Sequence, residues 1–187
     1  MDDEALALEV DALGNVYVTG YFNSSTADFG SQTLVNLGGS DAFFMAVSAS
    51  GSVSLAAAMG GVDDQVAKDI HFSSATEIII SGSFDNSISF GTINLTASGE
   101  ANFVAKVAVA GTVSWAEAIP ANYDSDVEVA TDASGNIYLV STFSGSQTID
   151  GSTVTSAGGD DVLVVKMDGS GNVDWAVSAG GSANDEG

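Results

Sequence analysis

The sequence contains no cysteine and no arginine, one proline (Pro120), one histidine (His71) and three lysines (Lys68, Lys106 and Lys166). Without cysteine there is no disulfide, no thiolate nucleophile and no zinc–thiolate centre. That lack is ordinary in an extracellular bacterial protein and speaks against a eukaryotic secreted module. The three lysines face 25 Asp and Glu residues, for a net charge of -22. A field of that sign repels nucleic-acid phosphates and anionic lipid, so neither is an expected partner. Three readings of the acidity stay open: adaptation to salt, cation binding by carboxylates, or solubility of a secreted surface. One histidine and no cysteine also disfavour zinc or copper. His71 alternates with Ile70 and Phe72 on an expected strand and reads as a surface or packing residue. No Gly-x-Ser-x-Gly elbow accompanies it, so nucleophilic catalysis is not expected. Long apolar runs are missing as well: Ile78–Ile80 and Val162–Val165 are far too short to cross a bilayer, and a soluble chain is expected. The opening Met1-Asp2-Asp3-Glu4 is the reverse of a basic signal-peptide start, and reads as a mature region or an excised piece of one.

What the chain does have is apolar content, 45% of 187 residues, enough for a core, and a repeat. Gly14-Asn15-Val16-Tyr17-Val18 returns as Gly135-Asn136-Ile137-Tyr138-Leu139, with a degraded copy at Thr76-Glu77-Ile78-Ile79-Ile80. Phe29-Gly30 is matched by Phe90-Gly91 and, less well, by Ile149-Asp150. Gly38-Gly39-Ser40-Asp41-Ala42-Phe43 aligns with Ser98-Gly99-Glu100-Ala101-Asn102-Phe103 and with Gly158-Gly159-Asp160-Asp161-Val162-Leu163. Gly51-Ser52-Val53-Ser54-Leu55 aligns with Gly111-Thr112-Val113-Ser114-Trp115 and Gly171-Asn172-Val173-Asp174-Trp175. The period of about sixty residues defines three copies, near 1–62, 63–123 and 124–187.

Runs rich in Val, Ile, Phe and Tyr, separated by Gly, Ser, Asn and Asp, predict four strands per copy. In the third copy these are Val127–Thr131, Asn136–Phe143, Asp161–Met167 and Asn172–Ser178. Asp132-Ala133-Ser134-Gly135-Asn136 and Asp168-Gly169-Ser170-Gly171-Asn172 place Gly and Asn where hairpins need positive φ. The connection of about fifteen residues between the second and third strands holds the Phe-Gly pair and leaves room for a short fifth edge strand. A single four-stranded unit cannot bury both its faces, so the copies are expected to pack face to face.

The ordered blocks Gly14 to Phe22, Gly38 to Phe44, Gly51-Ser52-Val53 and Gly60-Gly61 resemble the bacterial β-propeller repeat called SBBP, over essentially the whole chain. The resemblance implies an all-β propeller of four-stranded antiparallel blades, three per chain. The middle copy departs from the pattern: Ser73 stands where the others have Asp11 and Asp132, and Pro120-Ala121 replaces the glycine pair. Propellers hold four to eight blades, so three units fill part of a ring. The expectation is a homodimer of six blades about a twofold axis. The rivals are a fragment of a longer propeller and a β-trefoil.

The candidate site residues are carboxylates in the links between copies: Asp63 and Asp64, Asp124 and Asp126, and Asp185. Equivalent links should bring these acids to one face near a central channel, where calcium is the candidate cofactor. The competing reading is solvated turn residues, since no Asp-x-Asp-x-Asp-Gly loop is present. Trp115 and Trp175 invite sugar stacking, yet their equivalence to Leu55 favours core between copies. The function expected is non-catalytic: an extracellular or cell-surface bacterial module that binds a protein or glycan through loops. The alternatives are a spacer or surface-display element, and a polysaccharide-active enzyme with an acidic channel.

Overall fold

The structure, a computed structural model, describes residues 2–120 and 126–187. Every named element among these residues is a strand. The first copy contains β1 (Asp3–Val10), β2 (Val16–Phe22), β3 (Thr26–Phe29), β4 (Gln32–Val35), β5 (Asp41–Val47) and β6 (Val53–Met59). The second contains β7 (Gln65–Ser74), β8 (Glu77–Phe90), β9 (Ile93–Ala108) and β10 (Val113–Pro120). The third contains β11 (Val127–Thr131), β12 (Ile137–Phe143), β13 (Ser146–Ile149), β14 (Ser152–Thr155), β15 (Asp161–Met167) and β16 (Val173–Ala179). Each copy forms its own four-stranded sheet, in the orders β1-β2-β5-β6, β7-β8-β9-β10 and β11-β12-β15-β16. All pairings are antiparallel. The main ladders run within copies, so the three units do not share one barrel as a trefoil would.

The long connection is a two-stranded hairpin rather than one edge strand. In the first and third copies it is separate, β3–β4 and β13–β14. In the second it is continuous with the sheet, because β8 and β9 pass through an irregularity between Asp85 and Ser87 and stay paired out to Phe90 and Ile93. The hairpin tip in the third copy has Asp150 and Gly151 at φ 44 and 80, the left-handed pair that suits a tight turn.

Strand alternation sends successive side chains to opposite faces, and the middle sheet is apolar on both. Ile78 and Ile80 join one core with Tyr17, Phe44 and Met59 of the first sheet. Ile79, between them, joins the other with Leu139, Leu163 and Val165 of the third. The two cores therefore lie between sheets, as face-to-face stacking requires. Each following copy closes its core with its own hairpin: Ile88 and Phe90 in the first, Ile149 and Val154 in the second. Polar links also cross the junction of the second and third sheets. Val129 N donates to Asp69 Oδ2 (2.9 Å), Thr131 Oγ1 to the Phe72 carbonyl (3.0 Å), and buried Asn102 to Ser141.

Candidate functional site

In Asp-x-x-Gly-Asn, the aspartate at the hairpin start accepts from the backbone and then from the asparagine. Asp132 Oδ1 takes Ser134 N (2.8 Å) and Asn136 N (3.0 Å), while Oδ2 takes Asn136 Nδ2 (2.7 Å) and the Tyr138 hydroxyl (3.1 Å). Asp11 repeats this with Leu13, Asn15 and Tyr17, and Asp168 with Ser170 and Asn172. The Asn136 amide, ahead of the other donors, holds the Asp132 carboxyl down to about 2. Asp11 and Asp168 are lowered for the same reason. Positive φ falls on Gly14, Gly135 and Gly171 and not on the asparagines. The asparagine is a clamp for the aspartate, a correction to its expected backbone role.

A second motif was not anticipated. Asp41 is fully buried and accepts from Leu37 N (2.9 Å) and Gly61 N (3.3 Å). Burial raises its pKa against those two donors. Asp161 holds Ala157 N in the same way (2.6 Å). A Cβ at Gly60 would overlap the Asp41 carboxylate, and one at Gly180 the Asp161 carboxylate. The middle copy has Ala101 in place of the aspartate, paired across the sheet with Pro120 in place of the glycine. Pro120 is thus accommodated because no carboxylate stands opposite. The signal was present in the repeat alignment as a paired change, Asp with Gly and Ala with Pro.

The candidate metal residues divide. Asp64 Oδ1 accepts from Ser40 N (2.7 Å), stapling the link between copies to the preceding loop, and Asp63 Oδ2 accepts from Asn86 Nδ2 (3.0 Å). In the third copy Asn184 does the work of Asp64, accepting from Asp160 N (3.2 Å). Asp185 therefore occupies the place of Gln65 rather than that of Asp63 or Asp64, since both donate their backbone N–H to the preceding loop. Its Oδ2 accepts from Gly181 N (2.7 Å). Asp126 is exposed, 3.9 Å from Lys68 Nζ. Asp124 lies outside the described residues. Among the described residues no three His, Asp or Glu side chains converge so as to hold a metal ion. Asp64 and Asp126 do share one cleft, of about 460 Å³, where the links lead into β7 and β11. Tyr21, Asn23, Lys68 and Asp85 also line it. Burial, then the charges of Asp64 and Asp63, raise the pKa of Asp85. The Tyr21 hydroxyl donates to Glu4 Oε2 (3.0 Å), which raises its pKa. The cleft thus offers carboxylates, one ammonium, an amide and a phenol ring.

His71 Nδ1 lies 3.2 Å from Glu9 Oε1 and ties β7 to β1. Trp115 packs against the second core, and its Nε1 donates to the Gly169 carbonyl (3.3 Å). Trp175 lies on an outer face and is exposed. No helix among the described residues is long and apolar enough to cross a membrane. In comparison with known proteins, no family model matches the chain and no curated protein matches it.

Proposed function

We propose that the chain is a non-catalytic binding module, an arc of three propeller blades that recognises a ligand at the sheet ends where the links between copies run. The observation that carries this reading is the repeated junction: two apolar cores, each between successive sheets, leave the link ends together around one polar cleft. The carboxylates at Asp11, Asp132, Asp168, Asp41 and Asp161 are engaged with backbone N–H groups, which suits a scaffold better than acid–base chemistry. The strongly negative charge restricts the ligand to neutral or cationic chemistry, a glycan or a basic peptide. The SBBP-like blocks and the cysteine-free, acidic composition support an extracellular or cell-surface bacterial setting.

An array of neutral and amino-bearing glycans and basic peptides tests the proposal. The expected result is retention of one class, weakened at least tenfold by Tyr21→Ala, which removes the phenol ring that lines the cleft. Retention of nothing favours the spacer alternative, and shortened glycans in the eluate favour the polysaccharide-active one; either overturns the binding reading.

A further inference from the structure

The inner junctions repeat one arrangement, and each outer face carries half of it. On the leading faces, Ile70 of β7 is 3% exposed and Val129 of β11 is 8% exposed, each sealed by the sheet before it. Their counterpart in β1, Leu8, is 62% exposed, beside exposed Val10. On the trailing faces, the Leu55 side chain fills the space that a Cβ at Gly111 of the next copy would need. The Trp115 ring does the same at Gly171, about 3.0 Å from that point. The next member of each series is unmatched. Trp175 is 39% exposed, and beside Gly51 nothing lies within 4 Å of the corresponding point. An exposed tryptophan with Val177 at one end, and at the other exposed Leu8 and Val10 on β1 together with an open glycine turn between β5 and β6, are the two complementary parts of the contact already made twice inside the chain.

We infer that the occupant of these faces is a second copy of this chain, an inference that rests on the blade reading above. The trailing face of the third sheet in each copy seats on the leading face of the first sheet in the other, with Trp175 packed beneath Gly51 of the second copy. Two such junctions about a twofold axis satisfy all four outer faces and give six sheets, whereas an open head-to-tail contact would propagate into fibres. Like charge of -22 on each copy opposes the union, so it tightens as salt screens that repulsion.

Light scattering on the full chain, at micromolar concentration in about 0.15 M salt, should return twice the 18.7 kDa of one chain. Leu8→Asp and Trp175→Asp should each return 18.7 kDa with an unchanged far-ultraviolet spectrum. Val177→Asp, on the same face as Trp175, serves if Trp175→Asp does not fold. Mixing the two variants should restore a two-chain species, because the trailing face of one and the leading face of the other are both intact. A monomeric parent chain, a mass that climbs without limit with concentration, or a mixture that gains no mass overturns the pairing. A monomer that still retains its ligand on the array removes the pairing and leaves the binding reading standing. A dimer that retains nothing does the reverse.

Discussion

At the scale of single residues, the acidity resolves into geometry. Asp11, Asp132 and Asp168 each satisfy the backbone N–H groups of a tight turn, an Asx arrangement reinforced by the asparagine amide. A carboxylate in that position must be charged to accept so many donors, which is why the Asp132 pKa falls to about 2 from an ordinary 3.8. The sign follows directly. A depressed folded-state pKa contributes stability above the ordinary carboxylate range, and that contribution is lost as pH falls through about 2. Asp132→Ala should therefore lower the thermal midpoint at neutral pH, with the gap to the parent chain narrowing as melts are taken down to about pH 2. A gap that stays constant across that range would mean the turn does not depend on the charge. The hairpin turn itself was readable from Gly-Asn spacing, but the clamp was not, because spacing does not show which side-chain atoms meet.

At the scale of elements, the irregularities matter as much as the strands. β1 and β7 each carry a register shift, between Ala5 and Ala7 and between Ala67 and Asp69. Opposite them stand Gly20 and Gly82, where a Cβ would overlap the Glu4 and Val66 carbonyl oxygens. β11 has no such shift, and the equivalent position is Ser141. The bulge therefore demands glycine in two copies, and its absence admits a side chain in the third. Gly82→Ala is expected to cost on the order of 3 kcal/mol, since the new methyl meets both backbone and the Phe103 ring. Urea unfolding of the variant measures it, and a change below about 0.5 kcal/mol would show that the bulge can relax. The four strands expected in the third copy appear within one residue of their expected bounds. The extra hairpin was only half legible: the Phe-Gly pair marked a turn, but four-residue strands carry too few side chains to display their alternation.

At the scale of the whole molecule, a net charge of -22 weighs on every folded form. Self-repulsion among so many carboxylates weakens as the Debye length shrinks, from about 30 Å at 0.01 M salt to about 3 Å at 1 M. The thermal midpoint should rise steadily with sodium chloride, and a midpoint indifferent to salt would show that the charges are too far apart to matter. Calcium chloride at equal ionic strength should add nothing further, because Asp64 is already committed to Ser40 N and Asp185 to Gly181 N. A rise specific to calcium would establish the link carboxylates as a metal site.

The period of the repeat, the all-β character and the places of most turns were determined by the sequence alone. They depend on local alternation and on glycine, properties of neighbouring residues that survive without a partner. Which aspartate holds which loop, why proline replaces glycine opposite Ala101, and which of two equivalent tryptophans is covered were decided only by the tertiary structure. Each of those depends on what stands across a sheet or between two sheets, and distance through space between residues far apart in the chain is not encoded in the spacing of either.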